Sequence, residues 1–159
     1  MKDDPKLYLT EEGYRALEAE LKQLTTVERH RVADQFREYK EHGETGDEAE
    51  FESLKSQQAM LESRIHDVKA ILARATVVKP SDVPTDHVSV GCLVEIQDAE
   101  TNKKQKVQVV GAAEADPLKG RISYLAPLGE ALMGRKKGDS VDVKLPHGRA
   151  RYKVLKISK

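Results

Sequence analysis

Residues 54–75 read LKSQQAMLESRIHDVKAILARA, and the spacing of their apolar side chains decides the fold. The seam positions Leu54, Gln58, Leu61, Ile65, Val68, Leu72 and Ala75, apolar except for Gln58, alternate steps of four and three. That repeat keeps one narrow stripe turned toward a partner helix. The remaining surface is largely polar, which favours a paired helix over one enclosed in a bundle.

The partner lies upstream. Leu9-Thr10-Glu11-Glu12-Gly13 reads as a helix start, with Thr10 placed to cap free N–H groups and two glutamates at the positive end of the helix dipole. Leu17, Leu21 and Leu24 then mark one face; the pattern slips around Val27–Arg31 and resumes at Val32, Phe36 and Tyr39. No Pro or Gly interrupts residues 14–42, so the spacing predicts a helix about 43 Å long at 1.5 Å per residue. Joined by the short segment Gly43–Asp47, the two helices form an antiparallel coiled-coil hairpin over residues 1–79.

Downstream the period changes. Residues 80–86, PSDVPTD, read as a linker. Short β-rich runs follow at Leu93–Ile96, Val107–Val110, Ile122–Tyr124, Val141–Leu145 and Tyr152–Ile157, separated by turn residues and interrupted by one helical piece, Leu128–Met133. Residues 80–159 therefore form a small domain with a mostly antiparallel sheet, and the fold class is α+β.

Composition agrees with an elongated shape. The 159 residues are 38% hydrophobic and 34% charged, with no Trp and two Phe, too few large apolar side chains for one thick core. Charge is zero overall but uneven: residues 1–79 carry 13 Lys/Arg against 17 Asp/Glu, and residues 80–159 carry 14 against 10. The acidic half has no basic stripe to give general affinity for nucleic acid. A single cysteine, Cys92, excludes an internal disulfide framework and a multi-cysteine zinc site. There is neither the apolar run of a signal peptide nor one long enough for a membrane span, so a cytoplasmic protein without membrane contact is expected.

The chemistry concentrates in residues 41–52, EHGETGDEAEFE, where six of twelve are acidic and none is Lys or Arg. Acidic turns are ordinarily just solvated, but this one ends a long hairpin. Its crowded carboxylates repel one another until a cation or a basic partner joins them. Hard oxygen ligands suit Mg²⁺, which takes one or two protein carboxylates and fills its shell with water and phosphate. The segment lacks the alternating oxygen pattern of a calcium loop. The five histidines are scattered without metal-ligand spacing, and His42 alone adjoins the turn.

In order and spacing, several blocks together resemble the bacterial transcript-cleavage factors GreA and GreB along essentially the whole chain. They are Leu9–Leu17; Glu41-His42-Gly43; Ala49-Glu50-Phe51; Gln57-Gln58; Val109-Val110-Gly111 with Glu114-Ala115-Asp116; and Ala126–Gly134 followed by Gly138-Asp139. The resemblance implies an FKBP-like C-terminal domain that docks at the rim of the RNA polymerase secondary channel. It also implies a hairpin that carries its acidic tip to the polymerase active site. There the tip carboxylates help hold a Mg²⁺ shared with the polymerase, and the polymerase hydrolyses the backtracked 3′ end of the nascent RNA. The chain is then no enzyme itself but a monomeric stimulator of the polymerase's own nuclease activity.

Carried over position by position, the family's G-D-L-x-E-N-A-E-Y motif aligns with Gly43–Phe51. Glu44 and Asp47 become the catalytic and metal-binding carboxylates, with Glu48, Glu50 and Phe51 as auxiliary tip residues. Lys40 and Lys55 fall on basic positions that face the RNA. Glu44 stands for an Asp and Asp47 for a Glu, Glu48 replaces an Asn, Phe51 a Tyr, and Gly46 a helix-compatible residue. These exchanges raise a second expectation, a Gre-like regulator that occupies the channel and inhibits or modulates polymerase without cleavage. A coiled-coil chaperone or a prolyl isomerase is a third. It is disfavoured because residues 80–159 hold only Tyr124 and Tyr152 as aromatics.

Overall fold

The computed structural model describes residues 7–42 and 47–159. The chain divides into two compact units, one formed by the residues up to Tyr14 with Ala75–Lys159, the other by Arg15–Arg74. The division falls at residues 14/15 and 74/75 rather than at 79/80, because a strand on each side of the hairpin joins the C-terminal sequence. Strand β1 (Leu7–Thr10) pairs in parallel with β2 (Ala75–Val78). Ala75, the last member of the heptad seam, thus leaves the helix and begins a strand.

The helical unit contains most of α1 (Glu11–Gln23), a π-helical turn (Leu24–Glu28), α2 (Arg29–Glu41) and α3 (Glu48–Arg74). The π turn accounts for the slip in the sequence pattern. Leu24 and Val32 are eight residues apart where a heptad needs seven, and a π-bulge absorbs one extra residue within a continuous helix. Thr25 and Thr26 sit in it, their hydroxyls donating to the carbonyls of Leu21 and Lys22 one turn back. With the extra residue absorbed, Leu17, Val32, Leu54, Ile65 and Val68 are all buried. Gln58 of the expected seam is exposed and Gln57 is half-buried in its place. Two bidentate pairs bridge the helices: Arg64 with Glu20 (2.6 and 2.9 Å) and Arg29 with Glu62 (3.0 and 2.9 Å). Both are exposed, so they fix alignment more than stability.

The other unit is built on a five-stranded sheet of order β5-β4-β3-β7-β6. Its strands are β3 (Leu93–Asp98), β4 (Lys104–Val110), β5 (Arg121–Ser123), β6 (Ser140–Leu145) and β7 (Gly148–Ser158), with helix α4 (Pro127–Leu132) between β5 and β6. All neighbours are antiparallel except β4 and β5. Alternation puts Val94, Ile96, Val107, Val109, Val141, Val143 and Val154 on the buried face, against Leu132 of α4. Residues 80–86, expected as a linker, carry Val83 into this core. Cys92 is fully buried in it, and burial raises its thiol pKa above the ordinary value. No described helix is long and apolar enough to cross a membrane.

The start of α1 is fastened from 104 residues away. Thr10 Oγ1 accepts from the Gly13 N–H (3.0 Å), the cap read from the sequence. In an ordinary capping box a glutamate three residues on would accept the N-cap's own N–H. Here that position is Gly13, and Glu114 does the work: it accepts from the Thr10 N–H (2.7 Å), the Thr10 hydroxyl and the Gly111 N–H (3.3 Å), and pairs with Arg121 (2.8 Å). A Cβ on Gly13 would lie 2.4 Å from Glu114 Oε1, so the glycine makes room for the carboxylate.

Candidate functional site: the acidic tip

Gly43–Gly46, and with them Glu44, lie outside the described residues; the site is built from the residues on either side. Asp47 is the N-cap of α3. Its Oδ1 accepts from the Ala49 N–H (3.0 Å) and its carbonyl from the Phe51 N–H (3.1 Å). Oδ2 has no hydrogen-bond partner among the described residues. The sequence selects this arrangement, since Asp is among the best N-caps and Glu48 and Glu50 occupy the first turn, where the helix dipole favours negative charge. Asp47, Glu48 and Glu50 are all exposed.

Directly below, the two helices are clamped by aromatic rings. Phe51 is half-buried and stacks on Tyr39 of α2, with centroids 5.4 Å apart and planes 26° from parallel. Phe36 meets its edge at 6.2 Å and 86°. Lys55 Nζ lies 5.2 Å from the Phe51 centroid, a cation–π contact, and 3.8 Å from Glu52. Phe51, the last residue of the tip motif, and Lys55, one of the two basic positions expected to face RNA, are thus in contact with each other, whereas Lys40 lies exposed near the end of α2. Tyr39, which the sequence places on the seam, is also a residue of this site. Its signal was present, an aromatic three residues after Phe36 at the hairpin's end, but only the fold shows which ring it meets.

Among the described residues no three His, Cys, Asp or Glu side chains converge on one point as a metal cage. The donors fit a different arrangement. An N-cap carboxylate with one oxygen committed leaves one oxygen for a cation, which suits Mg²⁺ only where other molecules fill the remaining positions. Two open surface grooves, one beside Leu125, Pro127 and Glu130 and one beside Ala59, Met60 and Ser63, contain none of the tip acids. Tyr124, one of the two aromatics available for an isomerase pocket, packs edge-on against Tyr8 with centroids 5.7 Å apart.

Residues 7–77 match the family described as "Transcription elongation factor, N-terminal", and residues 83–159 match "Transcription elongation factor, GreA/GreB, C-term". The chain is 40% identical over 151 residues to the transcription elongation factor GreA of Thermoanaerobacter pseudethanolicus, covering 95% of this chain and 96% of the relative. It is 41% identical over 152 residues to GreA of Rhodopseudomonas palustris, covering 96% and 95%. The solved structure of Thermus aquaticus Gfh1 aligns over 98% of this chain and 100% of that one, with 29% identity and a TM-score of 0.44.

Proposed function

Because the chain belongs to the GreA/GreB family of transcription elongation factors, we propose that it acts by delivering its acidic tip to the active site of bacterial RNA polymerase. There it stimulates cleavage of the backtracked 3′ RNA. The observation that carries this reading is Asp47: an exposed carboxylate held by the helix it caps, with one oxygen committed to the Ala49 N–H and the other without a hydrogen bond among the described residues. The C-terminal unit, read as an FKBP-like domain, docks at the rim of the secondary channel.

In this reading Asp47 and Glu44 are the tip's ligands for a Mg²⁺ held jointly with the polymerase and the RNA. When bound, the ion supplies Lewis-acid stabilisation of the phosphoryl oxygens. Asp47 keeps its carboxylate from swinging by the Ala49 hydrogen bond, and Glu44 orients the attacking water. Glu48 and Glu50 deepen the negative potential that draws the cation in. The Phe36–Tyr39–Phe51 clamp holds the two helix ends together so that these carboxylates arrive as a unit. Lys40 faces the RNA phosphate, and Lys55 supports the clamp through Phe51. The factor is a cytoplasmic monomer that supplies ligands, while the polymerase supplies the nuclease site.

A second reading, occupation of the channel without cleavage, is favoured by one observation. The cap draws Asp47 back against its own helix, and Asp is one methylene shorter than the Glu of the family motif, a displacement of about 1.5 Å where about 1 Å costs about 100-fold. One assay separates the two. Backtracked elongation complexes are incubated with Mg²⁺ and the factor, and 3′ fragments are followed. Cleavage requires fragment release that falls at least tenfold in Glu44→Ala and in Asp47→Asn. The asparagine keeps the cap and removes only the charge, so unchanged helicity with lost cleavage identifies the carboxylate as the agent. Intact RNA with slowed nucleotide addition establishes the non-cleaving reading instead.

A further inference from the structure

The five-stranded sheet has a second face, and it is strongly basic. Across the register, Lys106 and Lys156 flank Glu95, and Lys104 and Lys153 flank Gln97. Arg151 lies opposite Asp142, with an ion pair at 2.9 Å, and Arg149 lies opposite Lys144. All seven cations are exposed. The face thus gathers seven of the 14 Lys/Arg of residues 80–159 and only two of the 10 Asp/Glu. Asp98 at the end of β3, Glu100 in the β3–β4 turn, Glu130 of α4 and Asp139 just before β6 are the carboxylates at its borders.

Two details show that this is a built surface. Between Glu95 and Ile96 the pairing with β7 slips, so that Glu95 faces Lys156 and Ile96 faces Val154. The unpaired Leu155 reverses the alternation, and Lys156 shares the outer face with Lys153 instead of pointing into the core. Lys106, Glu95 and Lys156 then line one shallow hollow with Leu93 and Ser158. The second detail is Arg149 opposite Lys144, a like-charged cross-strand pair that destabilises a sheet unless an anion lies over it.

We infer that the outer face of the sheet β4-β3-β7-β6 binds the phosphate backbone of duplex DNA, without reading sequence. Charge complementarity calls for a polyanion. The cations of β7 from Arg149 to Lys156 run about 24 Å along the strand, inside one turn of a duplex of about 34 Å. No aromatic side chain points from this face among the described residues: Tyr152 shares the inner alternation with Val154. Bases of a single strand therefore find no ring to stack on, which leaves backbone contact as the mode of binding. This surface is separate from the tip residues and acts whether or not the factor cleaves RNA.

The test is binding of a fluorescent 20-base-pair duplex by the full chain, measured by anisotropy over a salt series. Affinity should fall with salt at a slope of about −0.9 per phosphate neutralised. Lys106→Gln/Lys153→Gln/Lys156→Gln should weaken binding at least tenfold at low salt and reduce the slope by nearly 3, about 1 for each lysine. Lys22→Gln/Lys69→Gln/Lys136→Gln, with the same change in net charge elsewhere, should stay within twofold of wild type. Asp142→Asn, which frees Arg151, should tighten binding two- to threefold. Unchanged melting curves confirm that these surface variants fold. Three results overturn the inference: equal weakening by both triple variants; capture of a poly-glutamate chain as tightly as the duplex by the same lysines; or a wild-type dimer in sedimentation that the sheet-face triple variant dissolves.

Discussion

Removal of the Glu114 carboxylate tests the account of how helix α1 is anchored. In Glu114→Ala the N–H groups of Thr10 and Gly111 lose their acceptor and Arg121 loses its counter-ion. Glu114's side chain is 4% exposed and Arg121's 27%, so water replaces these partners poorly. Each stranded N–H costs about 1 kcal/mol or more, and breaking a buried pair from one side costs about 3–5 kcal/mol when both groups are fully buried. With Arg121 partly solvated, a total of about 3–4 kcal/mol is expected. That corresponds to a fall of roughly 12 °C or more in the melting temperature of a unit this size. The sharper test is a cycle with Gly13→Ala. In the wild type the new methyl meets Glu114 Oε1 at 2.4 Å and must destabilise. In the Glu114→Ala background the obstacle is gone, and alanine in place of a helical glycine should be neutral or stabilising by about 0.5–1 kcal/mol. Urea titrations read by the near-UV circular dichroism of the tyrosines follow this unit, through the Tyr8–Tyr124 contact. If Gly13→Ala costs the same in both backgrounds, the Glu114 carboxylate does not fill the space that Gly13 leaves open.

Other expectations concern packing and the thiol. Gly111→Ala places a Cβ 1.9 Å from the Tyr8 carbonyl oxygen and should cost about 3 kcal/mol, whereas Gly134→Ala meets nothing within 4 Å and should cost about 1 kcal/mol for its φ of +78°; chemical denaturation of the two variants ranks them. Phe51→Ala removes a half-buried ring and its stack on Tyr39, so about 2 kcal/mol should be lost locally. Amide exchange should then quicken at residues 36–42 and 48–54 while β3 and β7 stay protected. Cys92 is buried and its thiol pKa is held above the ordinary 9.0 by burial, so Ellman's reagent at pH 8 should label it only once urea opens the core. The sign follows: the buried neutral thiol adds stability below pH 9, and this is lost at higher pH as the unfolded chain ionises first. Rapid labelling of the native protein would contradict it.

Much of this fold is legible because it rests on local periodicity. The heptad of α3, the cap at Thr10 and the strands β3, β4, β6 and β7 each announce themselves within a few residues. The pairing of β1 with β2 is not legible, because Leu7–Thr10 and Ala75–Val78 meet only after the intervening helices have doubled back. The role of Glu114 is hidden for the same reason: in sequence it belongs to a block shared with the family, and nothing there points to Thr10, 104 residues away. At the tip the sequence shows the charges but not their orientation. Asp47 reads there as a ligand, and the structure adds that it is also a helix cap, so any substitution tests two roles unless the replacement keeps one. Lys55 reads as a cation for RNA, while its place above the Phe51 ring depends on helical spacing and rotamer together.

The π turn at Leu24–Glu28 also has a bearing on how such a hairpin changes its length over generations. A residue inserted into or removed from a helix elsewhere turns everything beyond it by about 100°. Here that would swing Phe36 and Tyr39 off the face that meets Phe51 and undo the clamp below the tip. The π turn already stores one surplus residue. Deleting Thr25 or Thr26 leaves Leu24 and Val32 seven apart, the spacing of an undisturbed heptad, and both flanks keep their faces. This stretch is therefore where the helix tolerates a single-residue deletion without re-aiming its far end, a joint at which gene-level length variation is decoupled from the bearing of the tip.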